Sequence, residues 1–147
     1  MLVELLYCSV SVAPQLTNKD LDQILASARR RNLEEDITGM MIYHRGEFVQ
    51  ILEGRKSSVE KVYQKFISPD PRHTAINKVH ENTISHRSFN QWSMGFVGAP
   101  KIESHMPLSA IEILMDMLTD EAKLKPLSLG LSAFVSIYNQ IRRSPYR

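Results

Sequence analysis

Residues 39 to 53 read Gly39-Met40-Met41-Ile42-Tyr43, then His44-Arg45-Gly46, then Glu47-Phe48-Val49-Gln50-Ile51-Leu52-Glu53. Two apolar runs split by a short polar segment with a glycine predict a tight antiparallel hairpin. Working outward, Leu2 to Ser9 is a short, mostly apolar run followed by Pro14, which suits a largely buried first strand. Thr17-Asn18-Lys19-Asp20 then opens a helix with a hydroxyl cap, and Leu21, Ile24, Leu25 and Ala28 recur at helical spacing until the polar run around Asn32. Beyond the hairpin, Val59, Val62, Tyr63, Phe66 and Ile67 return to helical period. Pro69 and Pro71 cannot continue the hydrogen-bond ladder, so that helix should stop near Ser68. Two more strands are expected over about Ile76 to Ile84 and Trp92 to Val97. The order strand, helix, strand, strand, helix, strand, strand predicts an α+β fold: a ferredoxin-like sandwich (βαββαβ plus an added strand) with both helices on one face of the sheet.

After Pro100 the pattern changes. Ser109-Ala110-Ile111-Glu112 is a capping box, and Ile111, Leu114, Met115 and Leu118 form a helical stripe. Lys125-Pro126 interrupts it. Leu131, Phe134, Val135 and Tyr138 make a second stripe ahead of Arg142-Arg143. An apolar sheet face must be covered, so these two C-terminal helices are expected to cap the sheet, or else to offer a surface to a partner or a second copy. The chain thus divides into 1–99, a sandwich domain, and 100–147, a helical extension that serves as cap and interaction element.

Composition narrows the function classes. At 147 residues, with 43% hydrophobic and 23% charged, the chain is sized and composed for one folded unit rather than a disordered tail. Eighteen basic against sixteen acidic residues leave +2, too little for a dedicated nucleic-acid binder. Cys8 is the only cysteine, which excludes an internal disulfide or a multi-cysteine zinc site and fits a reducing interior. No apolar stretch approaches the ~18 residues needed to cross a bilayer. A soluble, cytoplasmic protein with no membrane or nucleic-acid partner is expected.

Strand alternation gives the first functional clue. Tyr7 falls on the face of Val3 and Leu5, and Gln50 on the face of Phe48 and Leu52. A buried amide without partners costs about 1–3 kcal/mol, so Gln50 should hold specific hydrogen bonds. Tyr7 is one candidate partner, and backbone groups are the other. Asn32 is either a helix-end residue in the left-handed conformation or a polar group with a ligand to hold. Asp70-Pro71-Arg72-His73 is either a solvated turn or, through its guanidinium, a phosphate or flavin-edge contact. Arg29-Arg30-Arg31 reads first as a solvated helix end. The five histidines, His44, His73, His80, His86 and His105, show no metal-ligand spacing. There is no G-x-S-x-G, Walker loop or G-x-G-x-x-G, and Cys8 reads as a small core residue rather than a nucleophile. A small acylphosphatase-like hydrolase, with Arg72 and Asn32 holding phosphate and water, is the rival from another class. It lacks an anion-cradling glycine loop over Val10 to Gln15. A ferredoxin-like RNA binder lacks the exposed aromatic pair that base stacking needs.

The segments Leu5-Leu6-Tyr7-Cys8-Ser9, Asn32 ahead of Asp36-Ile37-Thr38-Gly39-Met40-Met41-Ile42-Tyr43, and Phe48-Val49-Gln50-Ile51-Leu52-Glu53-Gly54 occur in that order. Asp70-Pro71-Arg72-His73 and Arg87-Ser88-Phe89-Asn90-Gln91-Trp92-Ser93-Met94 follow. From about Leu2 to Val97 this resembles the BLUF family of blue-light sensors using flavin. The resemblance implies a non-enzymatic photoreceptor whose flavin lies between the two helices: FAD, with FMN or riboflavin as alternatives. It implies Tyr7 as electron donor, Gln50 as the amide linking phenol to flavin, and Asn32 as a hydrogen-bond partner of the ring. Arg31, where some relatives carry another polar residue, Arg72 and His73 are the remaining cofactor-binding positions. Trp92 and Met94 match last-strand positions tied to signal output, directed to a protein partner or a second copy of the chain.

Overall fold

In the computed structural model, residues 1–13, 16–89, 95–97 and 128–143 are described. In chain order they form β1 (Leu2–Ser11), α1 (Asn18–Glu34), β2 (Thr38–His44), β3 (Glu47–Arg55), α2 (Lys56–Val62) with a π-helical turn Tyr63–Ile67, β4 (His73–Ile84), β5 (Gly95–Val97) and α3 (Leu129–Arg143). The sheet order is β4-β1-β3-β2-β5. The first four strands are antiparallel in the split βαβ arrangement, and β5 adds parallel to β2. This is the ferredoxin-like sandwich with an added strand that the pattern predicts.

Local chemistry explains the elements. Arg45 and Gly46 both take positive φ, 46° and 84°, the combination a two-residue hairpin turn requires. Thr17 caps α1, accepting from the Asp20 amide, while the Asp20 carboxylate accepts from the Thr17 amide. Asn32 is not the left-handed residue that ends α1. The helix runs on to Glu34, and Asp36 takes the φ of 54°, because the Ile37 amide still bonds back to the Asn32 carbonyl. β4 begins at His73, three residues before the expected Ile76, and lies at one edge of the sheet among the described residues. Its ladder with β1 slips at Leu6/Tyr7 and at Cys8/Val10, and Ala75 is left-handed with φ 52°.

Alternation along β1 and β3 sorts the core into two layers. Val3, Leu5, Tyr7, Phe48 and Leu52 pack against Leu21, Leu25 and Ala28 of α1 and Val59 and Val62 of α2. Leu6, Val49 and Ile51 are buried on the other face, where α3 packs on β1, β3 and β4 and buries Leu131 and Phe134. α3 thus caps the sheet as expected. The other predicted C-terminal helix, around Ile111 to Leu118, lies outside the described residues, as does the start of the last predicted strand. Cys8 is half-buried rather than a core residue, and burial raises its thiol above the ordinary value, which disfavours nucleophilic thiolate.

Candidate functional site

Tyr7 and Gln50 are direct partners in the β1–β3 register, and both side chains are buried beneath the two helices. The Tyr7 hydroxyl donates to Gln50 Oε1. Burial pushes the Tyr7 phenol well above its ordinary range, with nearby Arg31 pulling the other way, so the residue keeps its proton. Tyr63 stands edge-on to Tyr7, ring centroids 5.8 Å apart, and fixes the ring plane from the π-helical turn.

Above this pair a half-open cleft lies between α1 and the π-helical turn. Ile24 and Ala28 form one wall, Ile67 the other, and Met41 and Phe48 extend the floor. Apolar walls around a few placed polar groups are what a planar heteroaromatic ligand requires. Arg31 also lines the cleft, and its Nε is buried without a hydrogen-bond partner, so a ligand oxygen would satisfy it. Its guanidinium carbon sits 5.8 Å from the centroid of the Phe66 ring, and burial lowers the guanidinium's pKa.

The other predicted positions divide. His73 lines the cleft, but both ring nitrogens are engaged: Nε2 donates to the Ile67 carbonyl at 2.6 Å and Nδ1 accepts from Ser9 Oγ at 2.8 Å. It shapes the wall. Arg72 lies at the rim, its guanidinium paired with Asp70 through Nε at 3.0 Å and a terminal nitrogen at 2.6 Å. Burial alone would raise the Asp70 carboxyl, but the Arg72 hydrogen bonds outweigh it and hold it below the usual carboxylate range. Asn32 is completely buried and is not among the residues lining the cleft. Of the two groups a phosphate hydrolase would have needed, only Arg72 lines the cleft. Trp92 and Met94 lie outside the described residues. The lining roles of Ile24, Ala28, Met41 and Phe48 were missed in the sequence, where they read as core. Ala28, four residues after Ile24 on one helical stripe, was the available signal, since its small side chain leaves room for a ligand. Among the described residues there is no cluster of metal-ligating side chains, and no helix is long and apolar enough to cross a membrane.

A buried tyrosine–glutamine pair thus floors a cleft beneath helices packed on a ferredoxin-like sheet, a fold and site that the comparisons with known proteins assign to a class. The family described as "BLUF: Sensors of blue-light using FAD" matches residues 2–95. Photoactivated adenylate cyclase subunit beta of Euglena gracilis is 33% identical over 111 residues, 75% of this chain and 13% of that protein. The dark-state structure of BlrB, a BLUF protein, is 29% identical with a TM-score of 0.65, covering 96% of this chain and 95% of that one. The photo-activated state of BlsA is 28% identical with a TM-score of 0.68, covering 98% and 96%. The chain belongs to the BLUF family and is a flavin-binding blue-light sensor. The chain spans about an eighth of the length of the beta-subunit cyclase relatives it matches.

Proposed function

We propose that Tyr7 and Gln50 are the photochemical pair. The observation that carries this reading is the Tyr7 hydroxyl donating to Gln50 Oε1 at the floor of the cleft. A flavin bound there supplies a strong oxidant when excited by blue light. Tyr7 would give up its electron to that oxidant, and its phenolic proton would follow through Gln50, whose Oε1 already accepts the phenol's hydrogen bond and whose amide N–H can pass a proton on to the reduced ring. When electron and proton return, the Gln50 amide is left with a changed set of hydrogen bonds, and no substrate is consumed.

FAD is the cofactor, with FMN and riboflavin able to present the same ring. Arg31 holds it, supported by its buried and unsatisfied Nε. Asn32, fully buried next to Arg31, acts on the ring from α1, while Arg72 and His73, which line the cleft, bound its opening. Residues 1–99 form the sensor domain and 100–147 the output extension. The signal leaves through Trp92 and Met94, which precede β5 in sequence, and through the C-terminal extension to a protein partner or a second copy of the chain, in the cytoplasm.

Absorption spectra before and after blue light test this. The purified protein should be yellow and shift reversibly to the red on illumination. Tyr7→Phe and Gln50→Leu should keep the flavin and lose the shift. A normal photocycle in either variant overturns the assignment.

A further inference from the structure

The face opposite the cleft carries two buried carboxylates. Glu4 lies three residues before Tyr7 on β1, and Glu53 three residues after Gln50 on β3, so both point to the α3 side. They are direct partners in the β1–β3 register and are 1% and 0% exposed. Buried carboxylates need donors, and these two draw on different segments. Glu53 accepts from the amides of Ser88 and Phe89, at 2.8 and 2.5 Å, and from Thr38 Oγ1 at 2.9 Å. Glu4 reaches the start of α3. Its Oε1 accepts from the Gly130 amide at 2.8 Å and its Oε2 from the Ser128 hydroxyl at 2.6 Å. Ser128 Oγ in turn accepts from the Leu131 amide at 3.2 Å, the geometry of a helix cap. The approach is close: a Cβ on Gly130 would stand 2.5 Å from Glu4 Oε1, so an alanine there would push the Glu4 carboxylate out of its present position.

We propose that Glu4 is a positioning residue that docks the C-terminal helix by its first turn onto β1, making that helix responsive to the Tyr7–Gln50 pair. The proposal rests on the photosensor reading above. β1 is the common part: Tyr7 projects from it into the cleft and Glu4 from it onto α3, separated by three residues, about 10 Å of strand. Hydrogen bonds to a charged acceptor are strong and steep in distance and angle, and the positive end of the α3 dipole adds to them. A shift of β1 against β3 when Gln50 changes partners therefore alters the bonds that hold α3. The docked and undocked helix are the two states that the photochemical pair biases.

The test is amide hydrogen exchange of Gly130 to Phe134 in the flavin-loaded full chain, in the dark and under blue light, with the red shift recorded on the same samples. The Gly130 amide belongs to the first turn, where no intrahelical partner exists, so its protection reports Glu4 directly. Glu4→Leu and Gly130→Ala should speed dark exchange of this turn by roughly 10- to 100-fold. Glu4→Gln, which keeps one acceptor, should do so by less. The wild type should show faster exchange there in the light. Glu4→Leu and Gly130→Ala should lose that light dependence while keeping the red shift, which loss of packing alone does not predict. Unchanged dark exchange, a light response that survives in both variants, or a wild-type helix indifferent to light despite a normal red shift would each overturn the proposal. A wild-type holoprotein without any red shift overturns the photosensor reading itself, and the coupling falls with it.

Discussion

His73 Nε2 donates to the carbonyl of Ile67 across 2.6 Å, which ties the end of the π-helical turn to the first residue of β4 and sets the width of the cleft. The opposite nitrogen accepts from Ser9 on β1, so one ring joins three elements. His73→Ala should destabilise the fold by about 1–3 kcal/mol in a denaturant titration, because two part-buried hydrogen bonds are lost without replacement. The same variant should release flavin faster than wild type in a dialysis assay.

Burial raises the Tyr7 pKa above its ordinary 10.0, and the sign of the resulting pH dependence follows. An unfolded phenol ionises near 10, whereas the folded one does so only higher, so the stability it contributes is complete below pH 10 and lost as pH rises towards the folded value. Melting temperature should therefore fall more steeply above pH 10 in wild type than in Tyr7→Phe. Equal slopes would contradict the buried, proton-retaining phenol.

Asp70 behaves in the opposite sense. Its carboxyl lies below the ordinary 3.8 because the hydrogen bonds from Arg72 overcome the effect of burial. The turn's contribution is present above that value and lost as pH falls through the depressed one. Carboxyl NMR should place the Asp70 midpoint below 3.8. Asp70→Asn should flatten the acid limb of the stability profile, and wild type and variant should then converge in strong acid.

Phe134 on α3 is fully buried against the sheet face away from the cleft. Phe134→Ala should cost about 3–5 kcal/mol in equilibrium unfolding. The dark flavin spectrum should be unchanged, since the residue is not part of the cleft.

Much of this was legible in the residues. Alternation put Tyr7 and Gln50 on one face, and the β1–β3 register then made them direct partners. The break His44-Arg45-Gly46 announced the hairpin, whose turn proper is Arg45-Gly46, and the Thr17 cap announced the start of α1. What alternation could not convey is where a donor for a buried group comes from. Glu4 and Glu53 look like surface positions on otherwise apolar strands, because their donors at residues 88, 89, 128 and 130 are remote in sequence. The π-helical turn escaped for a related reason: Tyr63, Phe66 and Ile67 fit an ordinary helical period, and only the Ser68 amide bonding back to Tyr63 reveals the widened turn. Arg31 and Asn32 both came from the resemblance rather than from spacing, because helical period alone could not tell that Arg31 would line the cleft while Asn32 is fully buried beside it.

The slipped ladder and left-handed Ala75 of β4 bear on how this molecule behaves in a crowd. A strand of 12 residues at a sheet margin would, if flat and regular, invite a neighbouring chain to zip along it. Twice interrupted and bearing Lys78 and Glu81, it presents a broken template. Concentrated samples should resist fibril growth from this margin, and a redesign that straightened β4 would sacrifice that protection.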